Sequence, residues 1–228
     1  MKFTTIAIIV LALISLGYLP VFIGFGVSET REPSSGMEIK TQTAIFAGGC
    51  FWCTESDFEK APGVIEVISG YTGGHVANPS YEQVSSGDTG HVEAVKVIYD
   101  QNRTDYAALL DYFWRHVDPT DPGGQFVDRG AQYRSVIFYA NEEQPRLAEA
   151  SKQMLASSGR FQKPIVTEIL PLGPFYAAED YHQDYYKENP LRYRYYRYGS
   201  GRDQFLEKTW ADAPPMRSEA QAFQKPDQ

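Results

Sequence analysis

The stretch from Thr43 to Glu55 constrains the fold of this chain more than any other. An apolar, β-branched run (Thr43-Ala44-Ile45-Phe46-Ala47) ends at Gly48-Gly49. Then come Cys50-Phe51-Trp52-Cys53 and a helical pattern through Glu55, Phe58, Glu59 and Lys60, which Pro62-Gly63 stops. The order reads as strand, tight glycine turn, helix. It puts Cys50 at a helix start, where unpaired backbone N–H groups and the helix dipole favour a thiolate. Cys53 lies one turn further along the same face.

These are the only two cysteines in the chain, and their CxxC spacing has four readings. A zinc site needs two more ligands, and the four histidines show no paired spacing. An inert disulfide would close a tiny loop and stabilise little. A thioredoxin-like dithiol fits the spacing. So does a nucleophilic Cys50 whose oxidised product Cys53 resolves. The flanking Gly48-Gly49 and Phe51-Trp52 sharpen the signal beyond a bare CxxC.

A length of 228 residues suits one domain. A net charge of −8, with no basic run, argues against nucleic acid as a partner. Residues Phe3 to Gly26 are nearly uncharged and apolar after Lys2. That run is long enough to span a bilayer. A signal peptide with a core at Ile6 to Ile14 is the competing reading, and a buried helix of a cytosolic domain the third. The expected organisation is an anchor or signal at 1–26, a polar linker at 27–40, a globular domain at 41–213 and a disordered tail at 214–228. Either favoured reading exports the domain, to be membrane-anchored or periplasmic.

Apolar alternation predicts strands at 43–47, 64–69, 92–99, 134–140 and 165–171. Helical spacing predicts helices at 51–60, 104–117, 142–157 and 179–188, with Thr104 and Asn141 as caps. Strands interleaved with helices, without long buried parallel runs, give an α/β (α+β) two-layer sandwich on a mixed sheet. Segments 70–90 and 118–132 fit no regular element. Loops that long in a compact domain, rich in aromatics and glycines, are expected to be functional.

Several motifs resemble the peptide methionine sulfoxide reductase A family, which acts on the S epimer. They are Gly49-Cys50-Phe51-Trp52, Gly70-Tyr71-Thr72-Gly73-Gly74, Asn78-Pro79-Ser80-Tyr81, Gly90-His91-Val92-Glu93, Asp128-Arg129-Gly130-Ala131-Gln132-Tyr133 and Ala178-Glu179-Asp180-Tyr181-His182-Gln183. The likeness spans about residues 41–195. It implies a ferredoxin-like plait and a set of roles. Cys50 matches the nucleophile and Glu93 the acid that protonates the sulfoxide oxygen. Tyr81 and Tyr133 match phenols that bond that oxygen, and Asp128 a polar residue of the same site. Phe51 and Trp52 match the pocket for the substrate methyl. Where many members carry a resolving cysteine in a C-terminal tail, this chain has none, so Cys53 is the intramolecular candidate. The resemblance implies oxidised proteins or peptides as substrate, a thioredoxin-like reductant, a monomer, and neither metal nor organic cofactor.

Without the resemblance, Glu93 would read as a solvent-face residue of a strand, and Tyr81 and Tyr133 as packing. His91 and His182 are read as loop-orienting rather than catalytic. The Tyr193-Arg194-Tyr195-Tyr196-Arg197-Tyr198 run is expected to pack across the domain rather than bind nucleic acid. Two rival functions stand beside the reductase: a catalytically silent methionine-binding domain and a general dithiol oxidoreductase. The first leaves the nucleophile and acid idle; the second gives Glu93 and Tyr133 no role.

Overall fold

Period-two alternation builds the sheet and divides its two faces. The computed structural model describes residues 38–214 and Met216. In chain order the elements are β1 (Thr41–Gly48), α1 (Phe51–Phe58), β2 (Val64–Thr72), α2 (Tyr81–Ser85), β3 (Val92–Asp100), α3 (Tyr106–Trp114), β4 (Gly124–Gln125), β5 (Asp128–Arg129), β6 (Ser135–Tyr139), α4 (Glu143–Ser157), β7 (Glu168–Pro171), β8 (Tyr176–Ala177), α5 (Tyr185–Glu188), α6 (Pro190–Gly199) and α7 (Arg202–Trp210). Six strands form one sheet in the order β7-β6-β1-β3-β2-β8, and β4 and β5 form a separate hairpin. Every pairing in the large sheet is antiparallel except β6 with β7. The inner order β6-β1-β3-β2, with α1 and α3 as crossovers, is the expected ferredoxin-like plait.

Ala44 and Phe46 of β1, Val95 and Val97 of β3 and Ile137 of β6 face the helices. Ile45, Ala47, Ala94, Val136 and Phe138 face the other way, against Leu170, Leu172 and Phe175. Phe46 anchors the helix side, its ring stacked 4.9 Å from Phe58 of α1 and 5.2 Å from Phe113 of α3. Burying each such ring contributes about 1.5–3 kcal/mol. That packing seats α1 over β1 and β3.

Unlike an ordinary surface helix, α1 is buried all round. Thr54, Glu55, Ser56 and Asp57 are all buried. The outer face is covered by the C-terminal helices: Arg197 of α6 pairs with Asp57 at 2.9 Å, the Asp184 N–H donates to Glu55 at 3.2 Å, and the Tyr186 hydroxyl donates to Glu59. The tyrosine-rich run is helix α6, packed on the domain as expected; α7 was not foreseen.

Other boundaries move for local reasons. The helix expected at 179–188 breaks up into a 3₁₀ turn at Asp180–His182 and the short α5. Gln183 is extended and Asp184 left-handed (φ 52°). The Gln183 amide accepts from Ser69 N–H at 2.9 Å and donates to Ser69 O at 3.0 Å, so it acts as an extra rung on the edge of β2. Asp105, not Thr104, caps α3, accepting the Ala108 N–H at 2.7 Å, and α3 ends at Trp114 rather than 117. Asn141 does accept the first N–H groups of α4, at 3.0 Å. Within 70–90, β2 runs on to Thr72 and Ser80 and Gln83 form a capping box for α2. Within 118–132 lie the β4–β5 hairpin and a 3₁₀ turn at Ala131–Tyr133. The anchor or signal, most of the linker and most of the tail lie outside the described residues. Among the described residues no helix is long and apolar enough to cross a membrane.

Glu55 makes the packing of α1 pH-sensitive. It is 1% exposed, and its Oε2 has no hydrogen-bond partner among the described residues. Burial pushes its carboxyl from 4.5 up to about 7, against the Asp184 N–H. Its folded value therefore exceeds its unfolded one. The stability it contributes is complete below the unfolded value and is lost as pH rises through about 7. Glu55→Gln should flatten the fall in stability between about pH 5 and pH 8 and be more stable than the parent at about pH 8 by about 1–3 kcal/mol. Urea midpoints at the two pH values measure this; identical pH slopes would mean that Glu55 ionises without penalty.

Candidate active site

The corner between β1 and α1 admits only glycine at position 49. Gly49 has φ +87°, and a Cβ there would lie 2.5 Å from Cβ of Gln125. Gln125 is fully buried and pins its own loop, accepting from Asp118 N–H and donating to Asp118 O, both at 2.8 Å. The corner and the β4–β5 hairpin thus close on each other, which brings Asp128 towards Cys50. The Cys50 carbonyl accepts the N–H groups of Cys53 and Thr54 at 3.1 and 3.2 Å and opens α1.

Glu93 alternates with Ala94 and shares the helix-covered face with Val95 and Val97. Alternation sends it inward, against the solvent-face reading. It is 3% exposed, and its Oε2 accepts the Phe51 N–H at 2.9 Å. Burial pushes its carboxyl up to about 8 in spite of that bond, and the charges of Asp128 and Cys53 add to the rise. The acid therefore holds its proton at neutrality.

Two phenols complete this wall. Tyr81 opens α2, and its N–H donates to Glu179 at 2.8 Å. Tyr133 sits in the 3₁₀ turn, its hydroxyl close enough to that of Tyr81 to draw the Tyr81 phenol down against burial. Burial, then the Glu93 charge, pushes both phenols up, so both remain neutral donors. Asp128 accepts the Tyr196 hydroxyl at 2.6 Å, and burial pushes its carboxyl up against that bond. Cys50 and Tyr133 each lie within electrostatic reach of Glu93 and Asp128, and Tyr81 within reach of Glu93 and Cys50. Five of the six polar residues expected from the sequence, all but Cys53, thus converge here.

Phe51 and Trp52 form an aromatic wall beside them. The Phe51 ring lies 4.9 Å from His182 and 5.8 Å from Tyr71. Trp52 stacks on Tyr185 at 3.7 Å and meets the Tyr196 edge. Its indole N–H donates to Nδ1 of His182 at 3.1 Å. Burial lowers the His182 pKa, so the ring is neutral with its proton on Nε2. Tyr185 was not singled out from the sequence, and Tyr193 and Tyr196 were named only as packing residues of the 193–198 run, where positions three apart share a helix face.

The two thiols are free and buried, Cys50 at 6% and Cys53 at 1% exposure. Cys53 packs with Tyr185 and Tyr193 beneath Trp52 and Tyr196. The neighbouring Cys50 thiol holds Cys53 down to about 7 against burial, with help from Arg202 and Arg197. Cys50 itself is pushed up by burial, by Cys53, and by Glu93 and Asp128. The helix start therefore does not make Cys50 the resting thiolate as expected. The first free N–H of the helix, that of Phe51, goes to Glu93.

Comparison with known proteins agrees with this geometry. The family model described as peptide methionine sulfoxide reductase matches residues 42–214. A peptide methionine sulfoxide reductase MsrA of Bacillus licheniformis is 55% identical over 174 residues, which is 76% of this chain and 96% of that protein. One of Bacillus subtilis is also 55% identical, over 76% of this chain and 98% of its own. Among solved structures, methionine sulfoxide reductase A of Corynebacterium diphtheriae superposes with a TM-score of 0.60 at 37% identity, over 66% of this chain and 76% of that one. Mxr1 from Saccharomyces cerevisiae in reduced form gives 0.62 at 31%, over 68% of this chain and 91% of that one. The chain belongs to the peptide methionine sulfoxide reductase family.

The neutral acid can be seen directly. A protonated-carboxyl C=O band in the infrared, missing in Glu93→Gln, should persist through neutrality and fade with a midpoint at about 8. Its loss by about pH 5, where ordinary glutamates have ionised, would remove the proton donor from the site.

Proposed function

We propose that this site reduces the S epimer of methionine sulfoxide, free or in peptides and proteins, and so repairs oxidised methionine. The observation that carries the reading is the buried Glu93 carboxyl, protonated near neutrality and hydrogen-bonded to the residue beside Cys50. Sulfoxide oxygen leaves only once it is protonated, so a neutral acid beside a thiol is the needed pair. The sulfoxide methyl lies against Phe51 and Trp52. Its oxygen faces Glu93 and the hydroxyls of Tyr81 and Tyr133, with Asp128 holding the far side through Tyr196.

Cys50 gives its proton to the Cys53 thiolate and attacks the sulfur. Glu93 protonates the oxygen as it passes to Cys50, which releases methionine and leaves a sulfenic acid on Cys50 and a carboxylate on Glu93. The Cys53 sulfur then attacks Cys50, and the sulfenic oxygen departs as water. The disulfide is reduced by a thioredoxin-like dithiol through exchange. Forming it loosens the first turn of α1, whose Cys50 carbonyl holds the Cys53 and Thr54 N–H groups. All these side chains come from one chain, so a monomer suffices.

Cys50→Ser should abolish methionine formation. Cys53→Ser should still release one methionine per enzyme, accumulate a sulfenic acid that a dimedone probe traps, and recycle poorly. Mass spectrometry and a sulfoxide-peptide assay measure both. A Cys50→Ser protein that turns over, or oxidised parent protein with two free thiols, would require another nucleophile or another resolving step.

The domain is further proposed to work outside the cytoplasm, tethered to the membrane. The uncharged run Phe3–Gly26, the polar segment after it and Lys2 on its short leading side support this. Cell fractionation with protease protection should find the domain on the outer side of the membrane. Full-length protein in the soluble cytosol would rule the location out.

A further inference from the structure

The helix that carries Tyr81 cannot hold its own position. Helix α2 has five residues, and Val84 is its one buried side chain. So short a helix draws its stability from what it is fastened to. Its capping box, Ser80 with Gln83, closes within the helix and fixes nothing outside it. At the far end the Gln132 amide donates to the Ser85 carbonyl at 3.1 Å. At the near end the fastening is Glu179. Its Oε1 accepts the Tyr81 N–H and its Oε2 the Tyr71 hydroxyl, each at 2.8 Å.

Both partners of that carboxylate belong to the site. Tyr71 is fully buried on β2, its ring 5.8 Å from that of Phe51 in the wall for the substrate methyl. Tyr81 presents the phenol for the sulfoxide oxygen. Glu179 itself is tied to the sheet edge, because the Ala178 N–H donates to the Ser69 carbonyl at 2.9 Å. The Glu179 carbonyl accepts the His182 N–H at 2.8 Å, closing the turn that lays the His182 ring 4.5 Å from the Tyr81 ring. One residue therefore grips Tyr81 by its backbone and starts the turn that packs on its ring. These bonds join positions about a hundred residues apart in sequence.

We propose that Glu179 is a positioning residue for the reaction: by holding the backbone of Tyr81 against Tyr71, it sets where the Tyr81 hydroxyl meets the sulfoxide oxygen. The inference rests on the assignment of Tyr81 to that oxygen in the proposed function. A donor must be held within a fraction of an ångström of its working place, and supporting hydrogen bonds do this. A glutamine would keep the geometry, since its Oε1 can accept the Tyr81 N–H while its amide donates to the Tyr71 hydroxyl. An alanine would release Tyr81 and leave the Tyr71 hydroxyl unpaired.

The test measures first-turnover methionine release from a sulfoxide peptide by rapid quench, with the full-length enzyme. Tyr81 and Tyr133 share one oxygen, so the comparison is made in two backgrounds. In Tyr133→Phe, where Tyr81 is the phenol left, Glu179→Ala should slow release about 10-fold. In the Tyr81→Phe/Tyr133→Phe protein the same change should slow it no further. In the first background Glu179→Gln should restore most of the loss. Equal slowing in both backgrounds, or none in either, would overturn the inference alone: Glu179 would then be a general brace or idle. A Gln variant as slow as the Ala variant would overturn the role of the two hydrogen bonds. If replacing both tyrosines leaves the parent rate, the phenols have no part in the reaction, and that assignment falls together with the inference. Should Glu179→Ala not fold by circular dichroism, Tyr71→Phe, which frees one carboxylate oxygen, carries the same comparison. Its loss should be smaller and confined to the first background, and a loss equal in both would overturn the inference.

Discussion

The hydrogen bond from the Phe51 N–H to Glu93 joins the two halves of the chemistry. It ties the first residue of α1 to the middle of the sheet at 2.9 Å. One end fixes where the helix begins, and so where Cys50 stands. The other fixes the rotamer of the acid. It also tunes that acid. Burial drives the Glu93 carboxyl up while the N–H draws it down, and the balance falls near 8. Without the N–H the group would hold its proton too tightly to give it up. Without burial it would have no proton to give.

Around that bond the C-terminal helices act as a cover rather than a tail. They explain why α1 can bury Glu55 and Asp57, which no isolated amphipathic helix would do: their partners are Asp184 and Arg197. The same cover supplies Tyr185 against Trp52, Tyr196 to Asp128, and Arg202 to the Gly48 corner. An apolar groove of about 590 Å³ lies elsewhere, lined by Leu110, Trp114, Met154 and Trp210 among others, and contains no thiol. The converging thiols, carboxyls and phenols lie instead where α1, the hairpin and the cover meet.

Local pattern revealed the scaffold. Alternation through Val92–Tyr99 and the Gly48-Gly49 break gave β3 and the β1–α1 corner, because strand period and glycine turns are short-range effects. The inward direction of Glu93 was not legible from alternation alone, since period two gives two faces and not which is buried. Family motifs decided it. The broken segment after Ala178 escaped because its conformation depends on the Gln183 amide reaching Ser69, more than a hundred residues away in sequence. The upward push on the Cys50 thiol escaped for a similar reason. A helix start favours a thiolate only if its N–H groups remain free and no acids face it, and here Glu93 takes the first N–H while Asp128 closes in from the hairpin.

In the proposed mechanism Glu93 must also survive the disulfide step. Joining Cys50 to Cys53 strains the first turn of α1, yet the helix is anchored further along by Arg197 on Asp57 and by Asp184 on Glu55. Loosening can therefore be confined to the turn that carries the cysteines. At that stage Glu93 has already given up its proton, and a carboxylate accepts the Phe51 N–H more strongly than the neutral acid does. The bond that set the acid's readiness to donate then tightens and holds the base of the turn while its sulfur is remade. In that mechanism oxidation of the thiols and ionisation of the acid are coupled through one backbone N–H. Until the acid regains its proton, the next sulfoxide has no donor.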